Sequence, residues 1–268
     1  MSALTFRLKY APPQRIDLSP LTPDRLAGIS PADIAGIELQ CGKRKLRAAE
    51  IFDISGDDAA EIDIINSEGK LDHIGSRMQV GRITLTGNAG DYAGFEMRGG
   101  ELVIHGNAEA FAACGMRGGL LHIQGNAGDF LGSAIAGERQ GMRGGTVVVT
   151  GNAGDRAGDQ MRRGLLLIEG NVGNYCGSRM IAGTIGVLGD VGQYAGYAMR
   201  RGTLLLQKAP ELHATIMDCG LHTLPYLNLM YKSFAGLPTH FSRLQQIRVR
   251  RYAGDIANDG KGEILILQ

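Results

Sequence analysis

The chain has 268 residues, 44% of them hydrophobic, with 41 Gly, only 8 Pro and no Trp. That length and apolar content allow a packed core in one large domain or two ordinary ones, and the scarcity of Pro beside so much Gly excludes collagen and Gly/Pro-rich disorder. A net charge of +1 gives no bulk field toward nucleic acid or a membrane, so any charge-based function rests on local arrangement.

The N-terminal residues 1–65 hold Pro12, Pro13, Pro20, Pro23 and Pro31. "TPDRLAGISPADIAGIEL" predicts one or two short helices capped by Thr22 and Ser30, and "AEIDII" predicts a strand. The start of the chain has no apolar leader, and no run of 18 apolar residues follows. The expectation is a soluble, cytoplasmic protein. Cys41, Cys114, Cys176 and Cys219 lie far apart and form no CxxC pair, which suits a reduced compartment and gives no zinc motif.

From Arg82 the sequence repeats. Six units begin at Arg82, Glu101, Leu120, Thr146, Leu165 and Thr184; five are 19 residues long, and the third carries seven extra residues, roughly "SAIAGER", expected as a loop. Degenerate units flank them, "KLDHIGSRMQVG" before and "TLLLQKAPELHATIMDCG" after. The shared core is G-x-x-G-x-x-x-G, complete from Gly87, Gly125, Gly151, Gly170 and Gly189. Each unit opens with a β-rich run such as "TVVVTG", and no helix-length apolar period intervenes. The reading is all-β: a right-handed parallel β-helix of about 19 residues per coil, spanning 66–207, with small capping segments at 1–65 (α/β) and 208–268.

Stacked coils turn the period into columns about 4.8 Å apart. Met78, Met97, Met116, Met142, Met161, Met180 and Met199 form one, assigned to the interior. Tyr92, Phe111, Phe130, Arg156, Tyr175 and Tyr194 form another, expected to stack. The next column, from Ala93 to Ala195, is small and implies a narrow interior. The glycines are expected at positive φ in tight corners or where no Cβ fits. Asn88, Asn107, Asn126, Asn152 and Asn171 suit such turns and coil-to-coil amide bonds. Val103, Val148, Leu167 and Leu205 form an outward apolar row that needs cover, either from the C-terminal segment or from another subunit. In that segment "HTLPYLNLMYKSF" predicts some helix.

If Met points in, its neighbour points out. Arg98, Arg117, Arg143, Arg162 and Arg200 then form a guanidinium ladder, broken at Ile181 and extended by Arg163 and Arg201, suited to an anionic tail or partner. The plain alternative is a solvated edge, since residues 82–202 hold eleven Arg and ten Asp or Glu. Asp91, Asp129 and Asp155 form a carboxylate column, as a stand-alone carbohydrate-active solenoid enzyme would require, though Asp beside Gly serves turns more often. The six His form no i,i+4 pair, and the spacing of Cys219 and His222 is a weak metal cue; a structural role is expected for all of them. No phosphate loop, dinucleotide fingerprint or catalytic triad is present. The reading is a non-catalytic chain with no metal of its own.

The coils resemble the C-terminal β-helix of the glutamate synthase large subunit. They equally resemble the C subunit of formylmethanofuran dehydrogenase and its bacterial counterpart, the C subunit of the formyltransferase/hydrolase complex. The flanks are similar to these C subunits: "LTPDRLAGISPADIAGIEL", "AEIFDISGD" from Ala49 to Asp57, and "RRYAGDIANDGKGEILIL" from Arg250. This resemblance implies a scaffold subunit in one-carbon metabolism (formaldehyde degradation). Its partners would be a catalytic hydrolase-like subunit, a formyltransferase subunit and further chains, with no nucleic acid and no membrane. The bacterial complex moves formyl between tetrahydromethanopterin and a methanofuran analogue with a glutamate-rich tail, and releases formate. The archaeal alternative is a tungsten or molybdenum dehydrogenase. The Ala- and Arg-rich composition points to the bacterial complex.

Overall fold

The computed structural model describes residues 2–268. Strand β1 (Ala3–Leu8) and the short β2 (Ile16–Asp17) precede helices α1 (Pro23–Leu26) and α2 (Pro31–Ala35). A hairpin of β3 (Glu38–Cys41) and β4 (Arg44–Arg47) leads into α3 (Ala48–Ile51), β5 (Phe52–Ser55), the long β6 (Asp58–Glu68) and β7 (Leu71–Asp72). The repeats supply β8 (Arg82–Asn88), β9 (Glu101–Ile104), β10 (Leu120–Ile123), β11 (Arg143–Val149), β12 (Arg163–Ile168), β13 (Thr184–Val187) and β14 (Thr203–Leu206). The last segment gives β15 (Met217–Thr223), α4 (Leu227–Ser233), β16 (Arg248–Ala253) and β17 (Glu263–Leu267).

One thirteen-stranded sheet runs β15-β16-β17-β14-β13-β12-β11-β10-β9-β8-β6-β1-β5, and β4-β3-β2-β7 form a small second sheet. The repeat strands pair in parallel, with Leu85, Ile104, Ile123, Val149, Ile168, Val187 and Leu206 in one register line. The step from Ile123 to Val149 carries the seven extra residues without losing register, because residues 134–140 leave as a loop. A second line of parallel bridges runs Ala89, Ala108, Ala127, Ala153, Val172, Val191, so each repeat is tied to the next at more than one corner. The final rung does not come from the next stretch of sequence: β17 pairs with β14, and β1 extends the other end beside β6. The result is a strand-dominated, β-helix-like fold.

Alternation decides which side chains face the interior. Leu102, Ile104, Val147, Val149, Leu166 and Ile168 are fully buried, as are all seven column methionines. The small column is buried too, Ala93 and Ala112 at 1% exposure and Leu131, Ala157, Cys176 and Ala195 at 0%. A narrow interior explains the pairing of long flexible Met with short Ala: the thioether fills what the short side chains leave open.

The glycines do two different jobs. At the first motif position the need is for close approach: a Cβ on Gly151 would lie 2.6 Å from the Gly125 carbonyl oxygen. At the third position the need is conformational, with Gly158 at φ +70°; Ala113 takes the same left-handed conformation at φ +56° in the repeat that lacks the glycine. The sequence expectation missed two columns of left-handed backbone, one of them just before the column methionines at Glu96, Gln160, Arg179 and Ala198 (φ +49° to +57°). Tyr92, Phe111, Phe130, Arg156, Tyr175 and Tyr194 also sit near φ +61°, which costs each side chain on the order of 1–2 kcal/mol. Stacking offsets it. Ring centroids are 5.0 Å apart for Tyr92–Phe111, 4.8 Å for Phe111–Phe130 and 4.8 Å for Tyr175–Tyr194, and the Arg156 guanidinium lies 4.7 Å from the Tyr175 ring centre. Such pairs contribute about 0.5–1.5 kcal/mol each.

The Asn column does not supply left-handed turns. Its amide oxygens accept the next repeat's backbone N–H instead: Asn88 from Asn107 at 2.9 Å, and Asn107 from Asn126, Asn126 from Asn152 and Asn152 from Asn171 at 2.8 Å. Of the two expected helix caps, Ser30 accepts from the Asp33 N–H at 3.2 Å. Thr22 precedes α1, but its hydroxyl is buried without a partner and caps nothing.

The outward apolar row is covered by the chain itself. Leu167 and Leu205 pack with Leu227, Tyr231, Phe234, Phe241, Val249 and Leu265 in a second core. A strap of residues 224–247, closed at its base by the Leu224 N–H bonding the Ile247 carbonyl, carries four of these. Gly186 has a specific reason to be glycine, since its Cβ would fall 2.5 Å from the Phe241 ring. The missing side chain is the notch into which Phe241 seats.

Candidate functional site

The residue after each column Met is placed by a fixed bond. The backbone N–H groups of Arg98, Arg117, Arg143, Arg162, Ile181 and Arg200 each donate to the carbonyl of the column Met one repeat earlier, at 2.7–2.8 Å. With Met inward, the neighbours turn out: Arg98, Arg117, Arg162, Arg163, Arg200 and Arg201 are exposed. Arg143 is half-buried, and its Nε is buried without a hydrogen-bond partner.

Backbone register does not translate into an unbroken guanidinium ladder. Arg117 reaches back to Glu96 at 3.2 Å, which Arg77 also holds at 2.9 Å. Burial pushes the Glu96 carboxyl up, but these two cations outweigh it and hold it below the usual range. The structure instead gathers charge in one cavity of about 810 Å³, where the 134–139 loop folds over the repeats. Arg139, Arg162, Arg179 and Arg200 line it together with the Phe111 and Phe130 rings, and Glu138 also borders it. Arg98, Arg117, Arg143, Arg163 and Arg201 lie outside that lining.

Arg179 is locked. It bonds both oxygens of Asp159, through Nε at 2.9 Å, and that carboxylate is only 3% exposed and also accepts from Ser178 at 2.7 Å. Arg139, Arg162 and Arg200 have no acidic partner within 4.0 Å among the described residues. Three free guanidiniums beside two rings can bind several carboxylates through paired N–H donors while the rings meet apolar stems. Ile181, which interrupts the sequence row, stands on the same wall.

Sequence reasoning missed Arg139 and Arg179. The first lies in the insertion; the second stands one position before a column Met, where no other repeat unit from Arg82 to Gly202 carries an Arg.

The other candidates take structural places. Asp91, Asp129 and Asp155 accept backbone N–H groups of the next repeat at 3.1, 2.8 and 2.7 Å, so the carboxylate column is a second bonding ladder. The His222 ring meets the Cys219 carbonyl at 3.0 Å rather than the thiol. Among the described residues no group of three or more His, Cys, Asp or Glu is arranged to hold a metal ion. Burial raises the Cys114 thiol to about 11 and the Cys176 thiol to about 12, so neither is a nucleophile at neutral pH. No helix among the described residues is long and apolar enough to cross a membrane.

A second cavity, of about 610 Å³, opens between the strap and the outer face, at His122, Thr150, Glu169 and His240. Glu169 is the strap's polar anchor. It accepts from the Thr239 hydroxyl at 2.7 Å, the His240 N–H at 2.6 Å and the His240 ring at 2.7 Å. Burial pushes its carboxyl up, but these donors outweigh that and hold it below the ordinary glutamate range.

The chain's likenesses agree with this architecture. The family described as GXGXG motif matches residues 64–219. The C subunit of the formyltransferase/hydrolase complex Fhc from Methylorubrum extorquens is 37% identical over 86 residues, 32% of each chain. The C subunit of the tungsten-containing formylmethanofuran dehydrogenase 2 from Methanococcus maripaludis is 34% identical over 94 residues, 34% of this chain and 35% of that one. The matched segments thus span about a third of the length of these curated relatives. A chain in the crystal structure of the Methylorubrum extorquens FhcABCD complex with methylofuran is 36% identical with a TM-score of 0.91, covering 98% of this chain and 99% of that one. Repeat, flanks and end-to-end likeness converge: the chain belongs to the GXGXG motif family and is a homologue of the C subunits of formyltransferase/hydrolase and formylmethanofuran dehydrogenase complexes.

Proposed function

We propose that this chain is the non-catalytic scaffold and carrier-binding subunit of a formyltransferase/hydrolase complex. In that complex formyl passes from formyl-tetrahydromethanopterin to a methanofuran analogue, and hydrolysis releases formate. The observation that carries the reading is the likeness to a chain of the FhcABCD complex over 98% of this chain. Its partners are a hydrolase-like catalytic subunit, a formyltransferase subunit and further chains, and its compartment is the cytoplasm. On this reading residues 66–207 are a right-handed parallel β-helix, capped by 1–65 and 208–268. A place as the C subunit of a formylmethanofuran dehydrogenase is the second reading, favoured by the 34% identity over 94 residues to the tungsten enzyme's chain.

The Arg-lined cavity supplies the carrier function. Arg162 and Arg200, with Arg139 from the loop, grip carboxylates of the carrier's acidic tail. Arg98, Arg163 and Arg201 add a weaker positive approach outside the cavity, to which Arg117, paired to Glu96, and half-buried Arg143 add little. Native purification followed by mass spectrometry of the intact assembly tests the reading. Transferase and hydrolase chains support it; tungsten or molybdenum with iron–sulfur chains favour the dehydrogenase. Within the assembly, Arg139→Ala, Arg162→Ala and Arg200→Ala combined should weaken retention of the carrier, or of an oligoglutamate probe, by about tenfold or more, with strong salt dependence. Unchanged retention would remove the cavity from the binding site.

A further inference from the structure

We infer that the β3–β4 hairpin docks an acidic, extended segment of a partner protein, at a surface that shares no lining residue with the arginine cavity. This rests on reading the chain as one subunit of a heteromeric assembly. The hairpin "CGKRKLR" carries Lys43, Arg44, Lys45 and Arg47, all exposed. Only Lys45 is paired, to Glu38 at 2.9 Å; the other three have no acidic partner within 4.0 Å among the described residues.

The tip is rigid. Cys41 pairs with Arg44 across the two residues Gly42 and Lys43. Gly42 is at φ +55°, and a Cβ there would overlap the Gln14 amide oxygen, so the N-terminal segment backs the turn. Glycine at the first position of a two-residue turn suits the twist of a hairpin.

Beside that tip lies a cavity of about 590 Å³ with Pro13, Cys41 and Leu46 as its apolar wall and Lys43 and Arg44 at its rim. Strand pairing puts Arg44 on the face shared by Cys41, Leu39 and Leu46, and Lys45 and Arg47 on the opposite face. β4 is also an edge strand, paired on one side only. The Arg47 N–H is already bonded to Glu50 Oε1 at 2.8 Å, so the outer edge open to an added strand is centred on the Lys45 backbone.

Charge chooses the occupant. A basic edge repels a second copy of itself, which is how edge strands avoid self-association. It does not repel an acidic strand. A segment alternating Asp or Glu with an apolar side chain would bond the β4 edge, pair with Arg44 and Lys43, and place the apolar group in the cavity.

The test uses the natively purified assembly. Carbodiimide coupling joins amines to carboxylates in direct contact, and the expected product links Lys43 to an Asp or Glu of a different chain. The double variant Lys43→Glu, Arg44→Glu should weaken retention of that same chain about tenfold or more, and high salt should mimic it. Lys43→Ala, Arg44→Ala, which removes charge without reversing it, should give a smaller loss with an unchanged melting temperature. Full retention in the reversal variant, or coupling only to a second copy of this chain, would overturn the docking site. Purification of this chain with no other would be seen independently in the mass spectrum; it would overturn the subunit reading and this proposal with it.

Discussion

In residues 82–202 each repeat meets its own kind, ring on ring and Asn amide oxygen on the next Asn's backbone N–H. In residues 208–268 nothing repeats, and a strap of unique residues reaches across several repeats at once. Phe241 enters the notch at Gly186, and Thr239 and His240 close on Glu169. Both regions bury apolar side chains, yet they should fail differently. A fault in the repeats is felt by both neighbouring repeats, whereas a fault in the strap is local to one face.

The sharpest way to break the comparison is inside a repeat. Gly170→Val puts a Cβ 2.6 Å from the Gly151 carbonyl oxygen, with no room for relief on either side. The expected cost exceeds about 4 kcal/mol, read as loss of cooperative melting and of expression as a folded chain. Phe241→Ala should cost about 3 kcal/mol, confined to the strap. Hydrogen exchange should rise across 224–247 while β8–β14 stay protected; equal deprotection of the repeats would erase the difference between the two regions.

The smallest effect concerns pH. The Glu169 carboxyl is held below its unfolded value of about 4.3. A depressed acid contributes stability above its unfolded pKa and loses it as pH falls through the folded one. As pH falls, stability should first be lost where the buried His122 ring on the cavity wall, its pKa lowered by burial, would have to charge; the Glu169 contribution should then decline separately, below the ordinary glutamate range. Glu169→Gln should remove that decline and weaken the strap by about 1 kcal/mol. A decline of the same shape in the variant would assign it to another carboxylate.

Period made the repeats legible. Strand positions, the Met interior, ring stacking and the need to cover Val148, Leu167 and Leu205 all follow from what recurs every 19 residues. What does not recur was not legible. Arg139 belongs to an insertion whose path depends on loop closure, and Arg179 is tied to a buried Asp159 present in one repeat only. The left-handed backbone under the rings was hidden because aromatic residues rarely adopt it, and only the stack of neighbours makes it tolerable. The free guanidiniums at Arg162 and Arg200 were read correctly as outward, but the capture of Arg117 by Glu96 depends on side-chain reach rather than on spacing.

The constant register of β8 to β14 turns the molecule into a ruler. Six steps at about 4.8 Å place β14 roughly 29 Å from β8, and the number of repeats alone sets that distance. Duplicating one 19-residue unit would move the strap away from the N-terminal hairpin by a single increment, leaving every ladder contact of the same type. Anything held at one end is thereby kept at a quantised separation from anything held at the other.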